Sequence, residues 1–315
     1  MAVTAEMGCD LMKTLLLLLA AVALRADTFY LTIAGLGGEA EYEQRFSGWA
    51  SELDKLLRAE PEAKVETLSG AAATRANVEA KLRDIAKQAK ADDSLVLMLI
   101  GHGSYDESDY KFNLPGPDIS ATDLAGLLDK IPAHQLVINM TSSSGGSIVS
   151  LQKKGRVVVT ATKSGTEKNA TVFARYFIEA LRDPAADTDK NDVITALEAF
   201  RYAEQKTAAF YDTQKRLATE HPLIEDAGKG EGVKAPSPEN GEGFIAGRFT
   251  LLHLGTAQAA AKDPEKMKLL KHKEEVETSI DELKYRKASL PLADYRKQLA
   301  AYLLDLAKTQ EALDK

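Results

Sequence analysis

Leu95-Val96-Leu97-Met98-Leu99-Ile100-Gly101-His102-Gly103 and, further on, Leu136-Val137-Ile138-Asn139-Met140-Thr141-Ser142-Ser143-Ser144-Gly145-Gly146 share one plan. Each is an apolar run that ends in residues able to do chemistry. Neither run alternates polar with apolar residues, so each reads as a strand buried on both faces, as in a parallel sheet covered by helices. Parallel strands open their carboxyl ends on one edge, and α/β proteins place their ligands there. A histidine and a cluster of hydroxyls are therefore expected to face one another across that edge.

The flanking sequence alternates strand and helix patterns. Strands are expected at 29–34, 64–68, 95–100, 136–140 and 156–161, with a short polar hairpin around 110–114. Helices are expected through Phe46, Trp49, Leu53 and Leu57, then from a Thr74 cap through Val78, Leu82, Ile85 and Ala89. Further helices are expected at 122–130 with a cap near Ser120, at 169–181 and at about 195–218. Residues 226–243, rich in Gly, Pro and Lys, read as a long loop, headed by His221-Pro222 and Glu225-Asp226. The segment 244–252 then reads as a last strand returning to the sheet. This alternation predicts an α/β fold, a three-layer sandwich around a mostly parallel sheet.

Gly101 and Gly103 let the backbone approach a ligand, and the Gly103 N–H could meet a developing oxyanion. His102 between them suits a general base. By contrast, Gly35-Leu36-Gly37-Gly38 lacks the third glycine of a dinucleotide fingerprint, since position 40 is Ala, and reads as a tight strand-to-helix turn.

Taken together, a strand ending in His-Gly and a later strand ending in a Ser-Gly motif resemble the caspase-like cysteine peptidases, the clan of caspases, legumains and gingipains. The resemblance covers roughly residues 28–255 and is that of a bacterial homologue of caspase or legumain type. It implies a caspase-like sandwich, a peptidase-like site with His102 and Gly103, and a nucleophile position at Thr141 or, one residue on, at Ser142. It also implies substrate contacts from Ser143 and, after the strand at 156–161, from Thr162, Lys163 and Ser164. The family's thiol is missing at either position. A thiolate is largely ionised before it attacks, whereas a hydroxyl needs a base within hydrogen-bond reach. The expectation is an inactive or impaired homologue that binds a peptide or protein. The alternative is a working hydrolase that uses Ser142 or Thr141 with His102.

Asp187-Thr188-Asp189-Lys190-Asn191-Asp192-Val193-Ile194-Thr195-Ala196-Leu197-Glu198 matches an EF-hand-type loop, with Asp187, Asp189, Asn191, the Val193 carbonyl, Thr195 and Glu198 at the ligand positions. Asp192 stands where glycine is usual. A structural Ca2+ is expected, the other reading being an acidic loop that caps a helix. His134 and His253, beside apolar strands, are expected to be structural, and His272 to be solvated.

The chain has 315 residues, 44% hydrophobic and 28% charged, with a net charge of −7. That balance is ordinary for a globular protein and argues against a nucleic-acid partner. Lys13, the apolar run 15–24 and Arg25-Ala26-Asp27 form a secretory pattern without a polar face, so residues 1–26 are expected to be a signal peptide with a natural start at Met12. The mature chain is then secreted or periplasmic and has no stable membrane span. The one cysteine, Cys9, lies ahead of the cut, which leaves no disulfide and no thiol chemistry. The caspase-like domain is expected at 27–256. From 263 to 315, Leu269, Val276, Leu283 and Leu290, then Leu292, Leu299, Leu306 and Leu313, recur every seven residues on either side of Pro291. This predicts a helical hairpin or coiled-coil arm, and with it a route to a homo-oligomer.

Overall fold

The computed structural model describes residues 26–61 and 63–315; the expected signal peptide, with Met12 and Cys9, lies outside the described residues. Six strands form the central sheet: β1 (Thr28–Ala34), β2 (Ala63–Leu68), β3 (Ser94–Ile100), β7 (His134–Asn139), β8 (Arg156–Thr160) and β10 (Leu223–Glu225). Their order is β2-β1-β3-β7-β8-β10, with all pairs parallel except β10 against β8. A three-stranded sheet, β4 (Gly103–Tyr105), β5 (Tyr110–Phe112) and β6 (Ile119–Ser120), follows the histidine directly.

The two-faced strands explain the layers. Tyr30, Val96, Met98, Leu136 and Val157 point into one core with Phe46 and Leu53 of α1 (Ala40–Leu57), Phe173 and Phe177 of α5 (Phe173–Ala180), and Phe200 of α6 (Ala196–Thr213). Leu31, Leu95, Leu97, Val137 and Val158 point the other way, onto Val78 and Leu82 of α2 (Arg75–Gln88), Leu124 and Leu128 of α3 (Ala121–Leu128), and Leu151 of α4 (Ile148–Leu151). Each such side chain contributes about 1.5–3 kcal/mol by leaving water. The expected α/β sandwich with a mostly parallel sheet is therefore present. Its helix starts are chemically marked. Thr74 accepts from Asn77 N–H, and Ser120 and Asp123 form a reciprocal capping box.

Three expectations change. The last strand does not rejoin the main sheet: β11 (Thr250–His253) pairs antiparallel with β9 (Val193–Thr195) in a sheet of two strands. The sixth strand is β10, from the segment read as the head of a loop. That segment is no solvated loop, because Asp226 is buried and accepts from the N–H groups of Gly243, Ile245 and Ala246. The helix expected from 169 begins at Phe173, where the buried Glu220 carboxylate accepts from Val172 and Phe173 N–H. Burial first, and the Glu167 charge, push that carboxyl up to about 7, against these hydrogen bonds.

After α7 (Gly255–Ala261), α8 (Pro264–Tyr285) and α9 (Leu292–Leu313) form an antiparallel hairpin, turned at Pro291. Lys266 Nζ reaches the Leu313 carbonyl at 2.9 Å and His272 meets Asp305 at 3.3 Å. The hairpin docks at the amino-terminal edge of the sheet. A cavity of about 550 Å³ there is lined by Thr28, Ser94 and His134 from strand starts and by Met267, Lys271 and Glu274 from α8. Among the described residues, no helix is long and apolar enough to cross a membrane.

His253 joins the hairpin to the sheet. Its Nδ1 lies 2.6 Å from Glu60 and its Nε2 2.9 Å from Glu274, so it is held as an imidazolium. Burial alone would lower it, but the hydrogen bonds and charges of Glu274 and Glu60 outweigh that and raise it to about 9. The raised folded value fixes the sign: this stabilisation is complete below about 6.5 and is lost as pH rises through about 9. The chain should thus lose about 3 kcal/mol between pH 6 and pH 10 from this group. Urea unfolding of His253→Gln over the same range should lack that component of the slope; parallel pH profiles for the two proteins would refute it.

Candidate functional site

β3 and β7 are adjacent and parallel, so their ends bring His102, Gly103 and the Thr141–Ser144 turn onto one edge. The His102 ring is half-buried and packs edge-on against Tyr42 and Phe46 of α1, with centroids 4.8 and 5.1 Å apart. Burial holds its pKa below the usual imidazole value, against a backbone hydrogen bond with Gly37 and the Glu39 charge.

The hydroxyls opposite are buried and committed elsewhere. Thr141 Oγ1 lies 2.6 Å from Tyr110 Oη and donates to Asn139 Oδ1 at 2.8 Å. Tyr110 is itself fully buried, and that burial raises its pKa. Ser142 Oγ accepts from Gly103 N–H at 3.1 Å and donates to the Gly103 carbonyl at 3.0 Å. The N–H that could have met an oxyanion is therefore already satisfied by Ser142. Ser144 Oγ lies 3.2 Å from Thr162 Oγ1 and accepts from Thr162 N–H at 3.1 Å. None of these bonds involves His102. Ser143 differs: it is left-handed, with φ 57°, its N–H donates to the Glu167 carbonyl, and its buried Oγ has no partner among the described residues.

The segment after β8 is pressed onto this turn. Thr162 is buried, accepts from Gly145 N–H at 2.8 Å, and so braces the turn rather than lining an open pocket. Lys163 is exposed, and Ser164 Oγ meets Thr166 Oγ1 at 2.8 Å, so these two face outward beside the edge. His221, singled out at the head of the loop, pairs with a residue the sequence did not connect to it: its Nδ1 meets Glu167 Oε1 at 2.5 Å, while Glu167 Oε2 accepts from Lys163 N–H and His221 N–H. Tyr110 was equally silent, being a hairpin tyrosine whose partner is 31 residues away.

At 187–198 the structure brings the three carboxylates of the six expected ligands together. Oxygen atoms of Asp187, Asp189 and Glu198 lie within 4.8 Å of one another. Asp187 accepts from the N–H groups of Lys190, Asn191 and Asp192. Asp192 takes the left-handed conformation, φ 65°, that the loop needs where glycine is usual. Asn191 turns its amide nitrogen to Glu277 of α8, Val193 lies in β9, and Thr195 caps α6 in a box with Glu198. Desolvation, then the charges of Glu198 and Asp187, push the Asp189 carboxyl up to about 6. Three carboxylates at this separation suit a hard cation in kind.

No family model matches the chain, and no curated protein does. Solved structures similar to it in fold include caspase-1 from Spodoptera frugiperda, at 14% identity and TM-score 0.46, covering 64% of this chain and 86% of that one. The Drosophila initiator caspase Dronc is similar at 11% identity and TM-score 0.43, over 65% and 81% of the two chains. A secreted C11 cysteine protease from Bacteroides thetaiotaomicron is similar at 10% identity and TM-score 0.38, over 64% and 66%.

Proposed function

We propose that this chain is an exported, non-catalytic homologue of caspase-like peptidases that binds a peptide or protein along the carboxyl edge of its sheet. One observation carries the reading: Thr141, Ser142 and Ser144 spend their hydroxyls on Tyr110, Asn139, Gly103 and Thr162, and none on His102. An un-ionised hydroxyl without its base is a poor nucleophile. The half-buried His102, between aromatic rings, and the exposed Lys163 remain as polar contacts for an extended ligand. A peptide library passed over the immobilised chain should yield binders that weaken about tenfold on Lys163→Glu or His102→Ala. Binders indifferent to both changes would place the ligand elsewhere.

We also propose that the 187–198 loop takes up Ca2+ in a structural role, with Asp187, Asp189 and Glu198 as its carboxylates. The cation would offset three like charges and tie β9 and α6 together. Added Ca2+ should raise the melting temperature of the wild type, and Asp189→Asn, which spares the Asp187 turn, should abolish the increase. A melting temperature indifferent to both Ca2+ and chelator would dispose of the site.

A further inference from the structure

Only Thr309 is buried among the 22 residues of α9. Tyr295, Leu299, Tyr302, Leu306 and Leu313 are half-buried and, with Thr309, follow three- and four-residue spacing along the seam with α8. A second apolar stripe runs beside that seam and faces solvent. Leu292, Leu303 and Leu304 are 57%, 50% and 58% exposed. Ala293, Ala300 and Ala307, exposed as well, recur every seven residues along the same stripe. Large leucines in solvent on one helix are costly unless something covers them.

We propose that α9 is a homodimer surface, which pairs antiparallel with α9 of a second copy about a two-fold axis passing between Leu303 and Leu304. The charge pattern selects this occupant and this register. About that axis Leu303 faces Leu304 of the second copy, Ala300 faces Ala307, and Arg296 faces Glu311, each pair occurring twice by symmetry. Both charges are exposed in the single chain, and the Glu311 contact with Lys315 is a solvated i,i+4 pair that is readily shared. Along this line Lys297 meets Gln310, Asp314 meets Ala293 and Leu292 meets the aliphatic stem of Lys315, so no like charges are opposed. Alanines at seven-residue spacing let two helices approach to about 8 Å, while the leucines fill the flanks. Two hairpins then become a four-helix bundle. Because each hairpin docks at the amino-terminal edge of its sheet, the His102 edge stays open on both copies. The inference is independent of what that edge binds.

Sedimentation of the full chain over a concentration series tests it. The chain should be a dimer, and L303E together with L304E should raise its dissociation constant by about 100-fold. R296E alone should weaken the dimer through an Arg296-to-Glu repulsion met twice, and R296E with E311R should restore it. Helical content by circular dichroism should be unchanged throughout, since all four positions are exposed. A chain that is monomeric at every concentration overturns the proposal and leaves the stripe to a different protein. A dimer untouched by the leucine changes, or a charge swap that fails to restore pairing, overturns it equally.

Discussion

Arg156→Ala should destabilise the chain by about 3–4 kcal/mol, a large share of an ordinary domain's stability. Arg156 opens β8 and is 2% exposed. Its guanidinium donates to Gln135 Oε1 at 2.8 Å, to the Leu151 carbonyl at 2.7 Å and to Asp129 Oδ1 at 2.8 Å. Removing it leaves a large cavity and two buried acceptors without a donor, and each effect costs free energy separately. Asp129 is half in solvent and can hydrate, so the ion pair is the smaller part. Arg156→Met keeps most of the volume and should cost about half as much. Denaturant midpoints of the two variants separate the contributions; equal losses would show that packing is irrelevant here.

Gly145→Ala should have the second large effect and should act on the candidate site itself. A Cβ at Gly145 would stand 2.2 Å from Ser164 N, 2.3 Å from Lys163 C and 2.6 Å from Thr162 O. All three are backbone atoms, so no side chain can swing away. Either the 162–167 segment lifts or the serine turn shifts, and the Thr162 bonds to Ser144 and Gly145 are lost. The combined cost should be about 3 kcal/mol. Faster cleavage within 162–167 under limited proteolysis would mark the lifted segment. Gly126→Ala is the control. It lies in α3 with open space around its Cβ position, and should stabilise by about 0.5–1 kcal/mol. Equal behaviour of the two variants would contradict the packing account.

Much of the fold could be read locally because its signals are local. Strands buried on both faces look apolar throughout, as at Leu95–Ile100, whatever their neighbours. Thr74 and Ser120 announce helix starts through bonds to residues three further on, and Pro291 marks the hairpin turn by its own ring. Long-range pairings were invisible. Leu223-Ile224-Glu225 is too short and too polar to declare itself a strand, and only the open edge of β8 makes it one. Nothing in Thr250–His253 says that its partner is β9, 57 residues earlier from Thr250 back to Val193, and not the main sheet. At the site, His102 and the serine turn were legible as motifs. The fate of the hydroxyls was not, because it depends on Tyr110 arriving from the β4–β6 sheet and Thr162 from beyond β8. That the turn carries no cysteine was plain in the sequence; that the neighbouring oxygens hold one another is a fact of packing.

We propose that the carboxyl edge of the sheet binds a ligand without cutting it. Incubating the native chain with a fluorophosphonate probe and mapping adducts by mass spectrometry tests it most directly. No adduct is expected on Thr141, Ser142, Ser143 or Ser144. An adduct on Ser142 that disappears in His102→Ala would contradict it and make the edge a working serine hydrolase.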